Sequence, residues 1–320
     1  MRPRRALPVA VLVVLLLSPF FSFSPFYQRV AALVVLAAIS ASAWNVLGGY
    51  AGQVSFGHSV YFGVGAYSAL LAFTKLGLPP IAGAPLGVMV SVAISVLIGL
   101  PSFRLRGHYF SMATFAIAAL AELLVISWNF AGGAIGMMGP ANSRSLADLL
   151  FRGSLPYYVI FLVVLAILLA LTHLMQRSRM GFYLRAIGSG ERAAESLGVP
   201  VRRYKLYALL LSGAFTALAG SLYAVMIGFI DPDSGFGVLI SVNMVVMAAL
   251  GGAGTLFGPL IGAIILVPLS EASNAFFGGG GSGAAYIVYG VIIMLIARFS
   301  PGGVAEWWRI LSRRRVRRAA

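Results

Sequence analysis

Few side chains in this sequence are suited to catalysis or metal binding, and those few are scattered. The 320 residues include no cysteine, three histidines and eight aspartates or glutamates. Thiolate nucleophiles, thiolate metal sites and disulfides are therefore excluded. No paired acids, histidine cluster or nucleophile beside a base is apparent. The sequence predicts a protein that is not an enzyme and carries neither a metal nor a cofactor.

The most suggestive polar spacing lies in a glycine-dense stretch, residues 48–67, with six glycines between positions 48 and 65. Several close glycines break a membrane helix, and polar groups at membrane depth must face protein or a water-filled path. We predict a broken element lining a translocation path, or alternatively small-residue packing at a connection. A phosphate-binding loop is excluded because no lysine follows the glycines. The candidate path residues here are Gly52, Gln53, Ser55, Gly57 and His58.

A second glycine run, residues 250–263, loosely matches the first and contributes Gly254 and Gly258 to the candidate path. Corresponding interrupted segments in two halves are typical of transporters built around a central pathway. The sequence thus predicts a weak internal repeat with glycine-interrupted segments.

Glu122 is the most isolated acid within a predicted span, whereas Glu271 lies near a span end. A buried acid in a membrane is a functional candidate by default. Glu122 is predicted either to face the path or to lie near the outer interface.

The amino-acid composition indicates the fold class in which these residues lie. The chain is 60% hydrophobic and 10% charged, with a mean hydropathy of +0.95, whereas soluble domains carry roughly 25% charged residues. We predict an all-α polytopic membrane protein with about ten transmembrane helices, the first a retained span rather than a signal peptide. The predicted spans are 6–23, 29–47, 60–74, 84–100, 109–127, 156–175, 206–228, 236–250, 256–270 and 284–297.

The basic residues predict the orientation. The predicted cytoplasmic segments hold 19 of the 23 lysines and arginines, and the opposite side holds Arg29, Lys75, Arg144 and Arg152. This asymmetry favours both termini inside. The net charge of +15 is therefore explained by membrane orientation, and nucleic acid is not an expected partner. We predict a transmembrane domain over 1–300 and a basic cytoplasmic tail over 301–320 that contacts membrane lipids.

The longest polar segment is the predicted cytoplasmic loop 177–205, which holds seven basic residues. We predict a short helix with Ser189 as N-cap and Glu191 near its positive end. Ala193, Ala194 and Leu197 are expected to share one small-residue face, and Gly198 is expected to end the helix. A helix built into such a loop is predicted to contact a partner.

Several of these stretches together resemble the permease subunits of bacterial ABC importers for branched-chain amino acids, of the LivM type. The most specific is RAIGSGERAAESLGVPVRRYKLYALLLSGAFTALAGSLYA at 185–224. Further matching stretches are 49–67, 105–114, 131–137, 251–263 and 301–303.

The resemblance implies that residues 185–198 form a coupling helix seated in a cytoplasmic ATPase. It also implies a sister permease, two ATPase subunits, an external binding protein and a bacterial inner-membrane location. The chain has no GxxxxGK[ST] motif, so ATP would be hydrolysed by other subunits. The ATPase-coupling residues carried over are Arg185, Ala186, Glu191, Ala193, Ala194, Leu197 and Gly198.

Two departures from the family pattern leave the substrate open. Ala119 stands where the family usually has an acid, and Ala131 replaces a usual threonine. Urea, short amides or sugars are therefore alternative substrates. An ion-coupled secondary transporter is a further alternative, but it would need more intramembrane acids and gives no reason for the loop helix.

Overall fold

The computed structural model describes residues 24–139, 151, 153–276, 290, 291 and 294. The predicted first span (6–23) and the tail (301–320) lie outside the described residues, as does the tenth span (284–297) apart from residues 290, 291 and 294. The described chain is almost entirely helical, as expected for a chain whose backbone polar groups must be satisfied without water. The α-helices are α1 (Pro25–Asn45), α2 (His58–Leu76), α3 (Pro80–Ser102), α4 (His108–Ile126), α5 (Ser154–Arg177), α6 (Arg179–Ser189), α7 (Glu191–Ser196), α8 (Val201–Ile227), α9 (Pro232–Phe236), α10 (Val238–Gly251) and α11 (Gly258–Phe276).

Seven helical segments of the described chain are long and apolar enough to cross a membrane. Helix α2 is of similar length but slightly less apolar, and it corresponds to the predicted span 60–74. The all-α polytopic class is confirmed. The seven segments are Pro25–Tyr50, Ala82–Ser102, His108–Ile126, Ser154–Arg177, Val201–Ile227, Pro232–Gly251 and Gly258–Ala275.

The centre of the bundle is the mutual packing of α2, α3 and α8. Helices α2 and α8 touch backbone to backbone, because a Cβ on Gly65 would lie 1.8 Å from the Ala217 carbonyl oxygen. A Cβ on Gly220 would likewise lie 2.0 Å from the carbonyl oxygen of Phe62. Small residues allow this approach, which suits membrane helices that associate through van der Waals packing.

Helices α1 and α4 mark the two extremes of burial. Helix α1 packs against α5, α8, α10 and α11 and is buried along most of its length. Helix α4 buries only Phe110, Thr114, Ala118 and Val125, and the rest of its surface is largely exposed. Helix α4 is therefore the least anchored long helix in the described part of the chain.

The two ends of the bundle are built differently. One end of the bundle is formed by residues 48–57, 103–107, 178–200 and 252–257. At the other end, β1 (Met137–Met138) pairs antiparallel with β2 (Phe229–Ile230), and Lys75 lies over the Phe130 ring at 5.4 Å. The described part of the predicted outer segment, residues 128–139, is thus folded against the bundle by 3₁₀ turns and this short ladder.

Candidate functional site

The predicted coupling loop forms two helices, α6 and α7, separated by Gly190. Ser189 is the last residue of α6, and its hydroxyl donates to the Arg185 carbonyl at 3.0 Å. The prediction that Ser189 caps the short helix is therefore wrong. The Gly190 N–H bonds to the Ala186 and Ile187 carbonyls, so Gly190 closes α6 and stands before α7.

The predicted common face of Ala193, Ala194 and Leu197 is also wrong. Ala194 is buried against Ile187 and Val201, whereas Ala193 is exposed and Leu197 is 85% exposed. Residues four positions apart, such as 193 and 197, lie on the same side of a helix, whereas residues next to each other in the chain lie on different sides. The alanine pair is thus divided, with Ala194 anchoring α7 to the protein and Ala193 lying beside Leu197 on the free side.

Gly198 ends α7 as predicted. Its φ is +83°, and its N–H bonds to the Glu195 carbonyl while the Val199 N–H bonds to that of Ala194. These two bonds form the Schellman arrangement, in which a left-handed residue closes a helix end. Val199 also packs against Ala194 in the small cluster beneath the loop.

Replacing Gly198 with alanine is expected to loosen this helix end without a steric clash, since no atom lies within 4 Å of the added Cβ. The left-handed backbone costs a residue with a side chain about 1–2 kcal/mol. We expect faster hydrogen exchange over residues 191–199. Gly153→Ala is the matched control, because its Cβ also meets nothing and its φ of −143° suits any residue. Equal exchange in the two variants would contradict the prediction.

Glu191 pairs inward rather than projecting toward solvent. Its carboxylate lies 2.7 Å from Lys205 Nζ and 3.7 Å from Arg106 Nε, and its side chain is 16% exposed. The Lys205 side chain is fully buried. As predicted, Glu191 stands in the first turn of its helix, where a negative charge is favoured. The pair with Lys205 holds the start of α7 against the start of α8.

Arg185 is exposed, but its guanidinium bonds to backbone carbonyls of the protein. Arg185 donates from Nη2 to the Gln176 carbonyl at 2.8 Å and from Nε to the Gly181 carbonyl at 3.2 Å. Ala186 is half-buried beside Ala194. Arg185 thus fastens α6 to the end of α5, and Ala186 packs α6 against α7.

The first glycine run forms a helix break directly beneath α6. Helix α1 passes into a π-helical turn, Val46–Tyr50, and the chain is then non-helical up to α2. Gly52 has a φ of +68°, and a Cβ there would lie 3.1 Å from Gly188 Cα. The Gln176 side chain also donates to the Tyr50 hydroxyl. The loop and the first break are therefore in direct contact.

Four of the five predicted path residues of this break are buried, and Gly52 is exposed. Gln53, Ser55 and His58 are all buried, and the Ser55 carbonyl accepts from Trp44 Nε1 at 2.8 Å. His58 Nε2 lies 2.6 Å from Ser212 Oγ, which itself donates to the Ala43 carbonyl at 2.6 Å. Because the single Ser212 proton is used there, His58 Nε2 must carry the donating hydrogen. Gly57 packs against Thr114, because a Cβ on Gly57 would lie 3.2 Å from the Thr114 carbonyl oxygen.

The second glycine run forms a break that Asn45 joins to the first. The Asn45 amide donates to the Thr255 carbonyl at 2.9 Å and accepts from the Gly254 N–H at 2.8 Å. A Cβ on Gly254 would lie 2.9 Å from the Gly49 carbonyl, so the two backbones touch. Gly258 begins α11, its N–H bonded to the Thr255 hydroxyl at 3.1 Å. The two interrupted segments that the sequence predicted to correspond are thus bound to one another.

Glu122 is not brought to these breaks. It lies near the end of α4 that leads to the 3₁₀ turns at Asn129–Ala131 and Gly133–Ile135, and it is half-buried.

Sequence reasoning missed three residues of this site: Asn45, Arg106 and Lys205. Two of them, Asn45 and Lys205, left a weak signal. Asn45 is an amide just before a glycine-rich break, and Lys205 is one of only two lysines in the chain and lies near the start of a long apolar helix. Their partners are distant in sequence, so pattern alone could not pair them.

A helical bundle with two joined glycine breaks and a charged loop seated on them defines a multi-pass membrane protein of the transporter type. Residues 26–297 match the family described as the permease component of branched-chain amino acid transport systems. The chain therefore belongs to this family.

Individual relatives agree. The high-affinity branched-chain amino acid transport permease LivM of Salmonella typhimurium is 28% identical, over 94% of this chain and 75% of that protein. The probable branched-chain amino acid permease LivH of Methanocaldococcus jannaschii is 27% identical, over 81% of this chain and 85% of its own. The autoinducer 2 import permease LsrC of Klebsiella pneumoniae subsp. pneumoniae is 31% identical, over 52% of this chain and 48% of its own.

The chain is thus an ABC transporter permease and a multi-pass protein of the bacterial inner membrane. Permease subunits of this family are not themselves catalytic, and such transporters work with an ATPase and a binding protein. Within the described residues, no group of histidines and acids could hold a metal ion.

Proposed function

We propose that this chain forms part of the translocation path of an ATP-driven importer for branched-chain amino acids. The observation that carries the proposal is the contact of α6 with the first glycine break, at Gly188 and Gly52. Through Asn45, the first break is joined to the second. A displacement of the loop would therefore reach both breaks, and packed elements transmit such shifts because they switch between discrete arrangements.

In this proposal the loop residues divide into two roles. Ala193 and Leu197, on the free side of α7, contact the ATPase. Arg185, Ala186, Glu191, Ala194 and Gly198 hold the loop on the bundle so that the contact is transmitted. The Leu197 side chain is 85% exposed, so it is accessible to a partner.

The path in this proposal runs beside the two breaks, at Gly52, Gln53, Ser55, Gly57, His58, Gly254 and Gly258, with Glu122 toward the outer end. The burial of Ser55 and His58 corresponds to a closed arrangement, in which the polar groups bond to one another until the breaks separate. The mutual hydrogen bonds satisfy groups that would otherwise be costly in a membrane.

The proposed assembly has about ten spans with both termini in the cytoplasm, and the loop end of the bundle faces inward. Its partners are a sister permease, two ATPase subunits and an external binding protein. The domain over 1–300 spans the membrane, and the basic tail over 301–320 binds anionic lipid headgroups.

Branched-chain amino acids are the favoured substrate because both LivM and LivH relatives carry that substrate in their names. The likeness to LsrC supports a second candidate, a small sugar-like molecule such as the one its name describes.

The test is uptake in proteoliposomes that hold the full complex with its binding protein. We expect leucine, isoleucine or valine uptake that requires ATP and the binding protein. Uptake of a sugar in their place would support the second candidate. Uptake that persists without any ATPase subunit would contradict an ATP-driven importer.

Replacing Leu197 with aspartate is expected to weaken ATPase binding at least about tenfold, the effect of losing roughly 1.4 kcal/mol of apolar contact. Ile135→Asp is the matched control, because both side chains are 85% exposed and Ile135 lies at the other end of the bundle. Binding is measured by co-purification and titration of the ATPase subunits. A similar loss in both variants would contradict the assignment of Leu197 to the ATPase contact.

A further inference from the structure

We propose that Arg106, in the connection between α3 and α4, is a positioning residue that ties the movement of α7 to that of α4. The inference rests on the proposed function, in which the ATPase moves the loop. This contact would give the movement of the loop a second route through the protein, separate from the glycine breaks. The route ends at α4, the least anchored long helix in the described part of the chain.

Arg106 contacts both carboxylates of α7. Its Nη2 lies 2.8 Å from Glu195 Oε2 and its Nε lies 3.7 Å from Glu191 Oε1. The two glutamates are four residues apart and so share one side of the short helix. Arginine suits such a bridge because its guanidinium presents several donors in a rigid plane. Through Arg106, the connection between α3 and α4 is therefore attached along most of the length of α7.

The same connection is attached to α8 and to the start of α4 by aromatic contacts. Lys205 Nζ lies 5.9 Å from the Phe103 ring centroid. Phe103 in turn stacks on Phe110, with centroids 5.6 Å apart and planes 13° apart. Phe110 is buried in the first turn of α4. A shift of α7 thus has a continuous packed route to α4.

Helix α4 is suited to respond because little else holds it. Only 17% of its spanning segment is buried, against 78% for the segment that begins with α1. Its hydrogen bonds to the first glycine break lie near its start, from the Ser111 hydroxyl to the Val54 carbonyl at 2.6 Å and from the Phe56 N–H to Thr114 Oγ1 at 3.1 Å. The loop and the first break therefore act on the same end of α4.

The experiment uses spin labels on cysteines at positions 196, 112 and 163, since the native chain has no cysteine. Ser196 is exposed on α7, and Met112 and Val163 are exposed on α4 and α5. In the full chain in nanodiscs, the 196–112 distance distribution is expected to be broader in Arg106→Gln than in the native background. Equal widths would overturn the inference whether or not the chain works as an importer.

In the full complex, a nonhydrolysable ATP analogue is expected to change the 112–163 distance. Arg106→Gln should reduce that change and the uptake rate about two- to fivefold, the range expected for a partly exposed ion pair. Arg106→Lys should restore part of both. Arg104→Gln is the matched control, because Arg104 is exposed two residues away and has no ion pair to any residue that the structure describes.

The outcomes separate the two proposals. A native complex that neither assembles with an ATPase nor imports amino acids would contradict the proposed function. The distances measured in nanodiscs would still test the role of Arg106, because they need no ATPase. A functional complex in which Arg106→Gln keeps the full distance change, or in which Arg104→Gln loses as much, would overturn the role of Arg106.

Discussion

Replacing Glu191 with glutamine is expected to abolish ATP-driven uptake while the chain still inserts into the membrane. The change removes the carboxylate that lies 2.7 Å from the fully buried Lys205 Nζ. A buried charge that loses its partner costs about 3–5 kcal/mol, far more than a surface ion pair contributes. Lys205 would have to move toward water, and α7 would leave its seat on α8.

Two further variants make this prediction specific. Glu195→Gln removes the neighbouring carboxylate, which is 56% exposed and, among the described residues, forms an ion pair only with Arg106, so it should cost about 1 kcal/mol or less. Glu191→Gln combined with Lys205→Met removes both buried charges and should recover most of the lost stability. Thermal unfolding of the purified complex measures stability, and proteoliposome uptake measures function. If Glu191→Gln behaves like Glu195→Gln, the buried pair does not hold the loop.

Replacing Asn45 with leucine is expected to separate the two glycine breaks and eliminate uptake. Leucine has a similar size but leaves the Gly254 N–H and the Thr255 carbonyl without the partner that Asn45 provides. Both bonds are partly buried, and a buried backbone group left unsatisfied costs up to about 1–3 kcal/mol. The close approach of Gly49 to Gly254 should then be lost, because the amide that draws the two backbones together is gone.

Ser42→Ala is the matched control on the same helix. Ser42 is buried about one turn before Asn45, and its hydroxyl has no hydrogen-bond partner among the described residues. A cysteine placed at the buried position 55 reports on the break, and it should react with a thiol reagent in the Asn45→Leu background but not in the Ser42→Ala background. Protection of that cysteine in both backgrounds would contradict the role of Asn45.

The helices themselves were largely predictable. The predicted spans 156–175 and 206–228 correspond to Ser154–Arg177 and Val201–Ile227, because an apolar run long enough to cross a bilayer leaves the backbone little choice but helix. The two largest differences are the end of α11, six residues later than the predicted span 256–270, and the start of α8, five residues earlier than predicted. Polar residues can continue a helix beyond its apolar part, and for this reason Lys205 was assigned to the loop although it is buried.

Hydropathy, the glycine runs and the long motif at 185–224 thus determined the all-α membrane class, the two breaks, the stop at Gly198 and the family. Each of these depends on residues close together in the chain. Only the tertiary structure decided that Asn45 holds Gly254, 209 residues away, that Lys205 is the partner of Glu191, and that Ala193 and Ala194 face opposite ways. These features depend on which surfaces meet when the helices pack, and local sequence patterns do not encode those pairings.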